Sequence, residues 1–302
     1  MIAGKALCFG LAVVVGALCC GYPSAGLAQG GADLNLSPKR VVFDPQTRSA
    51  VVYVFNRGTA PSSYNIQLTD KVMTPDGQIR DADEVAKTPD GAPIVAQLKS
   101  AKSMIVFTPR HVTLAGGTSQ VIRLLVLRPA DLAPGEYRSH LTVTQVPPDD
   151  VGLTAEQAAG DEAKQLSVHI ATRFAISIPL IVRQGPADIR AAISDVGYSV
   201  RKAPTNSALG AADASGVIAL QLARQGSSSL FGELEIYTVV NGKLGDMIGG
   251  LRGIGVYPEI DRRAVEITLT RKPASGQQLT LIFRNQDAKP GEFLAQTNYT
   301  VP

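Results

Sequence analysis

Short apolar runs, several alternating with polar residues at a period of two, recur along most of the chain and predict β-strands. In the first half they cover residues 41–43, 50–55, 64–68, 104–107, 121–127 and 141–146. Asn56-Arg57-Gly58, Pro75-Asp76-Gly77, Pro89-Asp90-Gly91, Ala115-Gly116-Gly117 and Pro134-Gly135 separate them and supply the fixed or positive φ that tight reversals need. About seven strands in roughly 150 residues is the spacing of an antiparallel sandwich. Residues 147–164 are polar and rich in Ala, Asp and Glu, and predict a loop. From 165 to 182 the strand pattern resumes, with Leu166, Val168 and Ile170 alternating with Ser167, His169 and Ala171. Pro179 and Gln184-Gly185-Pro186 are expected to end this strand and mark a domain boundary.

After Ala187 the pattern restarts over residues 218–222, 234–240, 253–256, 265–269, 279–283 and 293–301, with Asn241-Gly242 as a hairpin signal. No amphipathic helical stretch exceeds two turns. The expected fold class is all-β, with two β-sandwich domains over 30–183 and 184–302.

The start of the chain follows a different rule. Residues 1–5 carry one positive charge, 6–20 are continuously apolar, and Gly26-Leu27-Ala28 places small residues at the −3 and −1 positions of a cleavage site. This is the layout of a secretory signal peptide and is short for a membrane span, so residues 1–28 are expected to be removed on export. A soluble periplasmic product without membrane insertion is the expectation. The residues preceding Cys19 and Cys20 fit a lipoprotein signal poorly.

Composition then narrows the chemistry. With 45% hydrophobic residues the chain can build cores, and 29 basic against 26 acidic residues leave too small a net charge to indicate a nucleic-acid partner. All three cysteines, Cys8, Cys19 and Cys20, fall in the segment expected to be removed. The mature chain would therefore hold no disulfide, thiol nucleophile or cysteine metal ligand. His111, His140 and His169 lie in separate strand-like segments without a second ligand at strand spacing, and they read as solvent-facing strand residues rather than a metal site. Ser139-His140 is mere adjacency, and no Gly-x-Ser-x-Gly elbow occurs. Gly249-Gly250-Leu251-Arg252-Gly253-Ile254-Gly255 lacks the lysine and the following helix of a phosphate loop, and reads as a hairpin connection or bulge. Catalysis and cofactors are not expected.

The row of Leu166, Val168 and Ile170 has two readings: a half-buried strand facing its own core, or an edge strand offering alternate side chains to a partner. Neighbouring segments bear on the choice, because the first domain resembles the periplasmic chaperones of the chaperone-usher pilus pathway. Leu36-Ser37-Pro38-Lys39-Arg40-Val41-Val42-Phe43-Asp44 resembles the family's first strand. Residues 107–124 are similar to its Pro-x-x-Val-x-Leu, Gly, Gln-x-x-Arg-Leu signature, carried here by Pro109, Val112, Leu114, Gly116, Gln120, Arg123 and Leu124. Residues 166–178, after a polar loop, resemble its long seventh strand. The resemblance covers roughly residues 34–183.

It implies two immunoglobulin-like sandwiches, pilin-like fibre subunits and an outer-membrane usher as partners, and a strand lent to complete the subunit's fold. Leu166, Val168 and Ile170 become the lent side chains, and Arg40 matches the cleft arginine that grips the subunit's terminal carboxylate. The family's second cleft cation, a lysine, aligns with Ala175, and Arg173 on the same strand face is the candidate to replace it. Two rival readings remain. A structural or adhesive fibre subunit would show a longer extension than Gly30–Asn35 before its first strand, and a secreted enzyme or sugar binder would show acid-base pairs or aromatic platforms, in a chain that has no Trp.

Overall fold

Alternation sorts the side chains of each strand into a core-facing and an outward row, and pairs of sheets close over the core-facing rows. The computed structural model describes residues 33–146, 174–201 and 215–302. The expected signal peptide, the row of Leu166, Val168 and Ile170, and Arg173 lie outside the described residues. In chain order the first part comprises β1 (Leu34–Ser37), β2 (Val41–Phe43), β3 (Ser49–Asn56), β4 (Ser62–Thr69), β5 (Lys71–Met73), β6 (Ile79–Asp81), α1 (Ala82–Val85), α2 (Gly91–Ala96), a 3-10 turn (Lys102–Met104), β7 (Ile105–Thr108), β8 (His111–Leu114), β9 (Ser119–Val126), β10 (Gly135–Val146) and β11 (Ala175–Gln184). The second comprises β12 (Ala191–Arg201), β13 (Ser215–Arg224), β14 (Leu230–Val240), β15 (Lys243–Val256), β16 (Arg262–Thr268), β17 (Gln278–Asn285) and β18 (Phe293–Thr300).

The first sandwich packs a sheet ordered β1-β3-β9-β7 on one ordered β2-β11-β10-β4-β8. Leu36, Val52, Val54, Ile122 and Leu124 from the first sheet meet Phe43, Tyr64, Leu141, Val143, Ile178 and Leu180 from the second. Every pairing in it is antiparallel except β2 on β11, where Val41–Phe43 run parallel to Leu180–Val182. The second sandwich packs β12-β13-β16 on β15-β14-β17-β18, around Ile218, Leu220, Leu222, Leu234, Ile236, Leu279, Leu281 and Phe283. Asn241 and Gly242, with φ of 52° and 72°, form the expected β14–β15 turn.

The described residues are all-β apart from the 3-10 turn and an excursion over residues 71–98. Here β5 and β6 pair, α1 and α2 follow, and Val72, Ala82 and Val85 form a small core with Ile94, Val95 and Leu98. Sequence pattern shows only turns here, because three-residue strands and helices of four and six residues carry too few periods to register. Among the described residues no helix is long and apolar enough to cross a membrane.

Two local expectations are corrected. Pro179 does not end its strand but lies inside β11, opposite His140. The β2 partner begins only at Leu180, so a missing N–H on that side removes no ladder bond. His140 is not solvent-facing: it is 2% exposed, because the outer face of β10 is itself covered. The glycine-rich run 249–255 lies within β15, and the pairing with β14 shifts register between Leu251 and Ile254, so of the two readings given for it the bulge holds and the connection does not.

Candidate functional site

Arg40 sits immediately before β2, level with Pro179 in the parallel register of β2 on β11, and Arg183 lies near the far end of β11; the two side chains converge on one carboxylate. Both arginines reach the second sandwich. Arg40 donates from Nη2 to Asp287 Oδ2 at 2.8 Å and to Ser229 Oγ at 3.2 Å, and its guanidinium stands 4.7 Å from the centre of the Phe231 ring. Arg183 donates from Nη2 to the same Asp287 oxygen at 2.5 Å and from Nε to Glu136 Oε2 at 3.0 Å. That Glu136 oxygen also accepts the Ser229 backbone N–H at 3.2 Å.

The result is a buried row of alternating charges, Arg40, Asp287, Arg183 and Glu136, with each of these side chains at most 10% exposed. Charge-assisted hydrogen bonds between buried ions offset their desolvation only when the remaining lone pairs and protons also find partners. Here they do not all do so: Arg40 Nε and Nη1 and Glu136 Oε1 are buried without a hydrogen-bond partner. Burial would raise the Asp287 carboxyl, but the hydrogen bond from Arg183 and the charges of Arg40 and Arg183 reverse this and hold it below the ordinary carboxylate value.

Of the sequence-derived site residues, the structure therefore places Arg40 in this row, with its charge already facing one carboxylate. The described cation next to it is Arg183, which sequence reading passed over. Arg183 follows Ile181 and Val182 at the end of an apolar strand, and a charge in such a position was the signal available. Glu136 lies opposite it in register on β10 and had no signal of its own. Ala175 is exposed at the start of β11. His111 is an exposed strand residue whose Nδ1 lies 2.8 Å from Asn65 Oδ1.

A second charged pair is deeper. Arg138, on the outer face of β10, meets Glu259 of the second sandwich, and the side chains are 2% and 1% exposed. His140 shares that face two residues on. Burial, then the charges of Arg138 and Lys71, push its imidazole well below the ordinary value and hold it neutral.

No family model matches the sequence, and no curated protein matches it. Solved structures do match. The chaperone DraB of E. coli is 16% identical, with 90% of this chain and 97% of that one covered at a TM-score of 0.39. The CupB2 chaperone of Pseudomonas aeruginosa is 13% identical over 89% of this chain and all of that one, at 0.40. A structure of the Salmonella enterica SafA pilin in complex with the SafB chaperone is 13% identical over 89% of this chain and 97% of that one, at 0.41.

Proposed function

We propose that this protein is a periplasmic chaperone of pilus or surface-fibre subunits, which lends them a strand and passes them to an outer-membrane usher, without catalysis or cofactor. The observation that carries this reading is the way the apolar row of β11 leaves its own core. Ile178, Leu180 and Val182 are buried in the first sandwich and Ile176 packs at its margin, whereas Phe174, next in the same alternation, is 48% exposed. Leu166, Val168 and Ile170 continue that parity upstream. An apolar row running out of its own core suits a partner whose sandwich lacks a strand.

In this reading Arg40 anchors the client's terminal carboxylate. Its Nη1 has no partner, on a side chain that is 10% exposed, and a client carboxylate accepting from it would add a second charge-assisted hydrogen bond beside the one to Asp287. Arg173 supplies a weaker second charge, and the domains divide as 30–183 and 184–302.

Hydrogen exchange with and without a purified pilin-like subunit tests the proposal. Amides of residues 164–174 should gain protection on binding, because an added strand turns them into ladder donors. Capture of the subunit with no change in exchange there would overturn strand donation.

A further inference from the structure

Residues 70–98 leave the first sandwich after β4, fold into β5, β6, α1 and α2, and return before the 3-10 turn. Both roots are fixed to β10. Asp70 accepts hydrogen bonds from Ser139 Oγ at 2.6 Å and Ser100 Oγ at 2.9 Å. On the returning chain, the Arg138 N–H donates to Lys99 O at 2.8 Å.

The far end rests on the second sandwich. The Ala264 N–H on β16, an edge strand, donates to Pro75 O at 3.0 Å. The Arg263 guanidinium lies against Gly77 where a Cβ would stand, and Arg263 Nη1 is held by Gly255 O at 2.9 Å. The Met73 N–H donates to Glu259 Oε1 at 2.6 Å, and Met73 and Ile94 join the second sandwich's apolar cluster.

Between roots and tip lies the Arg138–Glu259 pair. Arg138 grips both carboxylate oxygens, with Nη1 to Oε2 at 3.0 Å and Nη2 to Oε1. Nη2 also donates to Lys71 O at 2.9 Å, and the guanidinium stands 3.8 Å from the centre of the Tyr257 ring. A buried pair of this kind is a poor source of net stability, since well-packed apolar residues do as well. Its planar, two-pronged contact accepts one geometry and disfavours its neighbours.

We propose that residues 70–98 are a strap fixing the placement of the second sandwich on the first, and that Arg138–Glu259 is its lock. The other tie, Arg40 and Arg183 on Asp287, lies where β11 runs into the connection at 185–190. A contact at the connection acts as a pivot about which both sandwiches can turn. The strap's contacts continue from there to Glu259, Arg263 and Ala264 along the edge of β16, and two separated ties define an orientation where one does not. The inference needs no client and stands whether or not the protein is a chaperone.

Residual dipolar couplings on isotope-labelled protein test it. In the parent, amides of both sandwiches should fit a single alignment tensor. Glu259→Gln keeps the volume of the lock but removes its charge, and Ala264→Pro removes the tip hydrogen bond from an edge strand where proline is tolerated. The combined variant should need two tensors, with each sandwich's own couplings and methyl dispersion intact. A single shared tensor in the combined variant would overturn the strap. Should Glu259→Gln unfold the second sandwich, Arg138→Met with Glu259→Leu removes the lock without leaving a buried charge unpaired, and combined with Ala264→Pro it decides on the same criterion.

Discussion

Arg40 and Asp287 close an ion pair at 2.8 Å between the first sandwich and the second, although 247 residues separate them in sequence. The site proposed to hold a client's carboxylate therefore already holds one of the protein's own. Arg40→Ala should lower client capture by about ten- to a hundredfold, the value of a charge-assisted hydrogen bond. It should also cost roughly 1.5 to 3 kcal/mol of stability, less than stranding a buried charge outright because Arg183 remains on Asp287. Asp287→Asn separates the two roles. It disturbs the same junction but leaves Arg40 in place, so it should lose stability while capturing clients better than Arg40→Ala does. Equal loss of capture in a pull-down of both variants would assign Arg40 to domain docking alone.

His140 makes stability depend on pH. Its native value lies well below the ordinary 6.5, so the unfolded chain binds the proton first as pH falls. The stabilisation is fully present above that value and declines below it, at up to about 1.4 kcal/mol per pH unit, until the native value is reached. Asp287 acts in a different window: its native value is below the ordinary 3.8, so its contribution is lost only at more acid pH. Urea unfolding at pH 7.5 and 5.5 should show a loss that His140→Asn largely removes. An unchanged pH slope in that variant would place the titration elsewhere.

The Arg138–Glu259 lock predicts strong non-additivity. Glu259→Leu alone leaves the Arg138 guanidinium buried without its carboxylate and should cost about 3 to 5 kcal/mol. Arg138→Met combined with Glu259→Leu removes both charges together and should regain most of that loss. A double-mutant cycle by denaturant unfolding checks this, and additive losses would show that the two side chains do not act as a pair.

These charged contacts mark where sequence reading stopped. Strands such as β3, β9, β14 and β16 were legible because one face of each is core and the other is not, so Val52 and Val54, or Leu234 and Ile236, repeat at period two. On β10 the rule breaks down. Leu141 and Val143 face the first core, but Arg138 and His140 on the opposite face are buried as well, under the strap and the second sandwich. Period two reports which face is apolar, and it cannot report that a polar face is covered. Arg40 was legible only through its neighbours in sequence, whereas Asp287 and Glu259 acquire their meaning from partners 247 and 121 residues away.

The same alternation supports the sharpest test of strand donation. Val168 shares the parity of Ile178, Leu180 and Val182, which fill the first core, and of Phe174, which is exposed. If it serves a partner's groove, Leu166, Val168 and Ile170 contribute about 1.5 to 3 kcal/mol each on binding, before ordering costs. Val168→Asp would then carry an unpaired charge into that groove, and client co-purification should collapse. The isolated protein should melt within about 2 °C of the parent, the effect of a surface substitution on a chain of this size. If the row instead packs in the protein's own sandwich, the same charge is buried in the free protein and costs several kcal/mol, about 10 °C or more in melting temperature. Thermal unfolding of the isolated variant thus separates a lent strand from an ordinary one, and a large fall in melting temperature would remove the case for donation.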